Sequence, residues 1–398
     1  MGGDEEPATR PFPRYLTAST LSLYGDWFST VAIVVLLLRL TGSSAAPAAY
    51  MLARVIPRLA GAAVGGELAD RLPPQRVAAA LAAVQGLLMA SIVVSAERHL
   101  VWSIYAAVAV SQLLGATARP ALLALLPRLV VDHELSRANG LVSAAMSSSQ
   151  VVAPALSVPL LAVLHRPELL IAIDVASFAL AALLFASLPA GGRAAPGPLR
   201  GATDGLRLIW ADGHLRSLAG AYLGGALAVT TASAVLVLAA ADRFGGADRV
   251  GALYAAVGAG ALLGSTAAMR RGSTRVLRST LVAGALAEIV LLAVLTLAQG
   301  LTTAALCLAA SAAVGSLYQV WGSTELQLRA PAEVLGRAGA ALVLAQYAGM
   351  LLGAVLAAAL VPLVGWDRAL VTACCTALAA IAVSVTGPLR EAAPRPAV

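Results

Sequence analysis

The sequence predicts an all-α membrane protein of twelve transmembrane helices, arranged as two pseudo-symmetric six-helix lobes. Three observations lead there. The 398-residue chain is 60% hydrophobic and only 12% charged, with a mean hydropathy of +0.85, whereas a soluble domain carries roughly 25% charged residues. Long apolar segments recur, each close to the ~20 residues needed to cross a ~30 Å hydrocarbon core. Short sequence features also repeat at about half the chain length, as they would in a duplicated six-helix unit.

The elements follow in order. Residues 1–14 read as an N-terminal tail, acidic at Asp4, Glu5 and Glu6 and then basic at Arg10 and Arg14. The first apolar run is too long for a signal-peptide core and lacks a cleavage site, so it is read as a retained span. Apolar segments at 15–38, 46–69, 77–96, 101–126, 138–163 and 169–188 make the first lobe, 15–188. A linker is expected over 189–214: Gly191, Gly192, Pro196 and Pro198 break helical structure, and the amphipathic stretch 204–210 suits a membrane surface. The second lobe, 215–388, holds segments at 215–241, 250–269, 276–298, 301–324, 338–364 and 367–387, before a tail at 389–398.

Arginine placement sets orientation. Even-numbered connections, counted with both termini, carry Arg10, Arg14, Arg71, Arg76, Arg128, Arg137, Arg193, Arg200, Arg207, Arg216, Arg270, Arg271, Arg275, Arg278, Arg329, Arg337, Arg390 and Arg395, while the odd ones carry only Arg39, Arg98, Arg166, Arg243, Arg249 and Arg368. Positive charge favours the cytoplasmic side, which places both termini of a multi-pass membrane protein in the cytoplasm.

Composition excludes several function classes. The chain has no Lys, so it has neither a P-loop lysine for ATP nor a Schiff-base lysine. The net charge of +7 is explained by loop position, so nucleic acid is not expected as a partner. Cys307, Cys374 and Cys375 lie in apolar runs, and His99, His133, His165 and His214 have no metal-motif spacing, so no metal site and no cofactor are expected. No catalytic acid, base or nucleophile constellation is visible, which speaks against an intramembrane enzyme.

The most specific motif is Gly65-Gly66-Glu67-Leu68-Ala69-Asp70-Arg71-Leu72-Pro73-Pro74-Gln75-Arg76, a short, charged, Pro-broken turn between two apolar segments. Gly61-x3-Gly65 before Arg71 is echoed by Gly260-x3-Gly264 before Arg270, and Glu134-x2-Arg137 by Glu333-x3-Arg337. A repeat on this scale is that of two-lobed secondary transporters, whose substrate site lies between the lobes. A passive channel needs no such turn.

These pieces resemble the major facilitator superfamily, and within it the bacterial enterobactin-exporter-like and macrolide-efflux-like branch. The resemblance rests on Gly66-x-Leu68-Ala69-Asp70-Arg71-x4-Arg76, on Gly25-Asp26-Trp27, on Leu135-x2-Ala138-Asn139-Gly140-Leu141 and on Gln327-x3-Pro331-x4-Gly336-Arg337. Span five departs from the antiporter pattern, reading Ala153-Pro154-Ala155-Leu156-Ser157 where glycines are usual, and Ser111 and Gln112 stand where some drug/proton antiporters place an arginine. The resemblance implies the major facilitator fold, alternating access and export of an amphiphilic small molecule of drug, macrolide or siderophore type by a monomer. An importer or a lysolipid flippase on the same fold is the alternative. It also implies a cytoplasmic gate of Gly66, Asp70, Arg71 and Arg76 with Gly336 and Arg337, because a carboxylate near a helix N-terminus gains roughly 0.3–1 kcal/mol. The alternative for this charged loop is simple anchoring.

Ionisable residues within spans cost about 2.5–3.5 kcal/mol each, so they are candidates for function. Asp26 and Arg58 each lie ~18 Å from the outer end of their spans at 1.5 Å per residue, with Arg54 one turn from Arg58. Asp26 is read as the proton-linked acid, with Arg58 and Arg54 controlling it; a static ion pair is the alternative. Glu288 in span nine is a second coupling candidate, or a structural residue. Tyr24, Gln112, Gln150, Tyr318, Gln319, Trp321 and Gln346 are polar or aromatic at membrane depth and are candidates to line a substrate cavity, with helix-to-helix hydrogen bonding or ordinary packing the competing role for each. Asp174, near the outer end of span six, and Arg119, toward the inner end of span four, are further cavity candidates, with contact to interfacial water and a cytoplasmic-side contact as their respective alternatives.

Overall fold

In a computed structural model of the chain, the described residues are 11–42, 46–189, 207, 209–244, 249–270, 276–330 and 335–386. Among them run twelve long α-helices. The first six are α1 (Phe12–Thr41), α2 (Ala46–Arg71), α3 (Pro74–Glu97), α4 (Val101–Leu125), α5 (Leu135–Leu164) and α6 (Pro167–Ala186). The second six are α7 (Gly213–Arg243), α8 (Val250–Arg270), α9 (Arg278–Val294), α10 (Leu301–Arg329), α11 (Leu335–Val364) and α12 (Trp366–Thr386). All but α2 and α5 are long and apolar enough to cross a membrane by length and composition, over the described residues.

Local chemistry explains the ends. Proline opens α1, α3 and α6, where a missing N–H costs nothing. Gly42 closes α1 in the left-handed conformation, φ 63°. Asp212 caps α7, its Oδ1 accepting from the backbone N–H of His214 at 2.7 Å and of Leu215 at 3.2 Å. Two boundaries depart furthest from those expected. The tenth span continues to Arg329, because Glu325 pairs with Arg329 one turn on and is buried there. The ninth relaxes into a 3-10 turn over Leu295–Leu297. The tails 1–10 and 387–398, and most of the expected linker with its amphipathic stretch, lie outside the described residues.

The helices divide into two compact units. Unit 1 is Met1–Ala138, Ser148–Ala202 and Ala332–Ala340; unit 2 is Asn139–Ser147, Thr203–Pro331 and Ala341–Val398. In unit 1, α1 packs on α6, α2 on α4, and α3 on both α4 and α6. In unit 2, α7 packs on α12, α8 on α10, and α9 on α10 and α7.

Glycine sets the closest of these contacts. A Cβ at Gly61 would sit 2.2 Å from the Leu113 carbonyl oxygen, and one at Gly65 2.5 Å from that of Thr117. In unit 2 a Cβ at Gly260 or Gly264 would sit 2.0 Å from the carbonyl oxygen of Ala309 or Ala313. The sequence echo between Gly61-x3-Gly65 and Gly260-x3-Gly264 is thus one packing device used twice, α2 on α4 and α8 on α10. Small residues let helix backbones approach where lipid supplies no hydrophobic drive between helices.

Candidate functional site

Unit 1 gathers most of the charged side chains that the sequence placed at membrane depth. Asp26 sits midway along α1 and is half-buried. Thr30, one turn on, donates its hydroxyl to the Asp26 carbonyl at 2.5 Å and accepts from Arg54 Nη1 at 2.7 Å. The Arg54 guanidinium is buried. It lies 5.4 Å from the Trp27 ring centroid and 5.7 Å from that of Tyr50, so two aromatic faces supply part of what water would give the cation. Arg58 donates through Nε to Gln112 Oε1 at 2.8 Å and through Nη2 to the same oxygen. Both arginines lie within electrostatic reach of Asp26.

Asp174 is wholly buried on α6. Its Oδ1 accepts from Ser177 Oγ at 3.2 Å, and a Cβ at Gly25 would sit 2.3 Å from that oxygen. Asp26 and Arg54 are within its electrostatic reach. The structure therefore brings Asp26, Arg54, Arg58, Gln112 and Asp174 into one polar region of α1, α2, α4 and α6. Thr30 and Ser177 belong to it too and were not singled out from the sequence. Their signal was present: a hydroxyl three or four residues after each acid shares its helix face.

Other candidates are dispersed. Tyr24 is half-buried and donates to Ser148 Oγ at 3.0 Å. Gln150 is exposed on α5, and Arg119 is half-buried on α4. An apolar cleft of about 430 Å³ between α1 and α5 is lined by Phe28, Leu156, Leu160 and Val163, a surface that suits lipid tails.

In unit 2 Glu288 is buried on α9 and accepts from Tyr318 of α10 at 2.9 Å. Tyr222 packs edge-on against Tyr318 with centroids 6.4 Å apart, and its hydroxyl donates to the Gln319 carbonyl at 3.0 Å. Gln319, Trp321 and Gln346 are half-buried. Gly66, Asp70 and Arg71 fall in the last turns of α2, where the backbone is helical but the side chains lie outside the described residues. Arg76 is exposed in the first turn of α3, Gly336 is buried and Arg337 half-buried in the first turn of α11.

A second buried cluster lies where α7, α9 and α10 meet. Glu325 Oε2 accepts from the Val276 backbone N–H at 2.9 Å, Oε1 pairs with Arg329, and His214 Nε2 lies 3.8 Å away. Arg278 donates to Ser217 Oγ at 2.6 Å and to the Val385 carbonyl at 2.7 Å. The i,i+4 spacing of Glu325 and Arg329 was the available sequence signal. Nearby, Asn139 donates to Gln327 Oε1 at 2.6 Å and to Thr324 Oγ1 at 3.1 Å. Two of the short motifs read from the sequence, around Asn139 and around Gln327, thus meet directly.

The family model of the Major Facilitator Superfamily matches residues 16–324. The chain belongs to that superfamily. It is therefore a multi-pass membrane protein of a family of secondary transporters. Among solved structures it is similar to a bacterial homologue of the iron transporter ferroportin in the outward-facing state, with 18% identity, a TM-score of 0.77 and coverage of 94% of this chain and 98% of that one. It is also similar to the fucose:proton symporter FucP of E. coli, with 14% identity, a TM-score of 0.75 and coverage of 96% and 98%. At such identities the likeness is one of fold. No curated protein matches the sequence. An iron-transporter homologue and a sugar symporter share the architecture, so cargo and direction have to be argued from side chains.

Proposed function

We propose that this transporter is a proton-coupled exporter of amphiphilic small molecules, of drug, macrolide or siderophore type, working by alternating access in a bacterial inner membrane. The observation that carries the reading is the set of ionisable groups within α1 and α2. Asp26 lies in the field of Arg54 and Arg58, and Arg58 has a neutral alternative acceptor in Gln112. Protonating Asp26 removes its attraction for the arginines, and Gln112 then retains Arg58. One proton moving down ~100 mV supplies about 2.3 kcal/mol, which at one-to-one coupling sustains roughly a 50-fold gradient of cargo. Glu288 is the second proton-linked candidate. Tyr24, Gln112, Arg119, Gln150, Asp174, Tyr318, Gln319, Trp321 and Gln346 remain the candidates for cargo contact. The Gly66–Arg76 turn, with Gly336 and Arg337, is the proposed cytoplasmic gate, and the monomer is the proposed working unit.

The test is efflux from proteoliposomes with an imposed pH gradient and a panel of amphiphilic compounds. Wild type should accelerate efflux when the gradient is applied, and Asp26→Asn should not. An Asp26→Asn protein with undiminished gradient dependence removes Asp26 from the mechanism. Gradient-driven uptake in vesicles of known sidedness, or movement of lysolipid alone, would replace export with import or lipid flipping.

A further inference from the structure

We infer that Asp26 and Asp174 act as one acid pair that holds a single proton, and that the proton resides on Asp174 Oδ2. The inference rests on the proton-coupled reading above and deepens it, because it moves the proton-carrying atom from α1 to α6. Asp174 has 0% exposure. Its Oδ2 is buried with no hydrogen-bond partner among the described residues, an arrangement that is costly for a charged carboxylate and tolerable for a neutral acid.

The surroundings offer Asp174 little else. Ser177 gives its hydroxyl proton to the Asp174 carbonyl at 2.8 Å and to Oδ1 at 3.2 Å. Ser29, which donates to the Asp26 carbonyl at 3.2 Å, is the second hydroxyl within hydrogen-bond reach of Asp174. From α1 the facing charge is Asp26, and from α2 it is Arg54. From α3, the other helix on α6, the charged groups are Arg76 and Glu97, both exposed at its ends. Of the two guanidiniums near the pair, Arg58 is held by Gln112 and lies in the field of Asp26, while Arg54 lies in the field of both acids, so two carboxylates share that one cation in a buried place. Like charges so placed share a proton.

A proton fits better than a metal ion. Oδ1 is pressed against the α1 backbone at Gly25, which leaves one free oxygen where hard cations need about six. Nor does packing require an acid. The offset that separates Gly61 from Gly260 also separates Gly25 from Gly224. Gly224 makes the corresponding close approach in unit 2, where the nearest atoms are the Ala377 carbonyl oxygen and the Ile381 side chain. When the pair loses its proton to water as hydronium, its charge goes from one negative to two. The change falls at the tight α1–α6 contact around Gly25.

The experiment is infrared spectroscopy on the purified full-length protein in lipid nanodiscs, following the protonated-carboxyl C=O band at neutral pH. The expected result is a band in wild type that is lost in Asp174→Asn, persists in Glu288→Gln and shifts in Asp26→Asn. A band of full amplitude in Asp174→Asn overturns the inference. If Asp174→Asn does not fold, Asp174→Glu keeps the acid and must move the band; an unmoved band overturns it equally. The readout needs no cargo. Loss of gradient dependence in Asp26→Asn with the band intact in Asp174→Asn would leave the coupling reading standing and refute the pair. A band that depends on Asp174, with gradient dependence untouched in every variant, would support the pair and refute the coupling.

Discussion

Tyr318 on α10 donates its hydroxyl to Glu288 Oε2 on α9 at 2.9 Å, inside a niche shaped by glycine. A Cβ at Gly315 would sit 2.1 Å from Glu288 Oε1, and one at Gly225 would sit 2.3 Å from the Tyr318 hydroxyl. The backbone there has been stripped of side chains to fit a buried acid and its donor. Tyr318→Phe removes that donor and leaves a buried acceptor unmatched. The expected loss is about 1–3 kcal/mol, read as a lower unfolding temperature of the purified protein. Gly315→Ala should be worse than Tyr318→Phe, because the new methyl must displace the carboxyl.

Gln112 is expected to govern Arg58. In Gln112→Leu the guanidinium loses its two hydrogen bonds to Oε1 and turns toward Asp26, which lies within its field. Gradient-driven efflux should fall at least tenfold, about 1.4 kcal/mol at the rate-limiting step, with folding retained. Gln112→Glu should lower efflux further, because a carboxylate holds Arg58 more strongly. Wild-type efflux in Gln112→Leu would show that Arg58 does not regulate Asp26.

Asn139 holds Gln327 and Thr324 through one amide nitrogen. Asn139→Leu should cost about 1–3 kcal/mol, since Gln327 Oε1 and Thr324 Oγ1 each lose a buried hydrogen bond. Gln327→Leu should cost a similar amount. The double variant should cost less than the sum, because both single changes break the same bond. Thermal unfolding of the four proteins gives the cycle directly, and strict additivity would mean the bond contributes nothing.

The repeated glycines give a graded prediction. Gly61→Leu and Gly260→Leu must force α2 off α4 and α8 off α10, so both should collapse expression of folded protein. A Cβ at Gly251 would meet nothing within 4 Å, so that position should accept Ala with little change in stability. Fluorescence-detected size-exclusion profiles separate these outcomes, and a folded Gly260→Leu protein would refute the packing assignment.

Much of the fold was legible in the sequence, and for a simple reason. Each span must bury its own backbone hydrogen bonds in a helix and present an apolar surface to lipid, so helix positions are written locally. The expected start of α8 at Val250 and the expected end of α11 at Val364 both match the structure. The end of α10 was missed because a buried Glu325 breaks the apolar run without ending the helix. The site was legible as a set of costly residues, Asp26, Arg54, Arg58, Asp174 and Glu288, but not as a set of contacts.

What the sequence determined by itself was the class of architecture: twelve apolar helices, a duplicated Gly-x3-Gly device, and a handful of charges where lipid makes charge expensive. What only the tertiary structure decided was which groups those charges face. Arg58 meets Gln112, Arg54 meets Thr30 between two aromatic rings, and Asp174 is wholly buried against Gly25. The physical reason is that membrane insertion depends on residue type along one helix, whereas a hydrogen bond or a shared proton depends on how neighbouring helices are rotated. That rotation is set by packing between segments far apart in the chain.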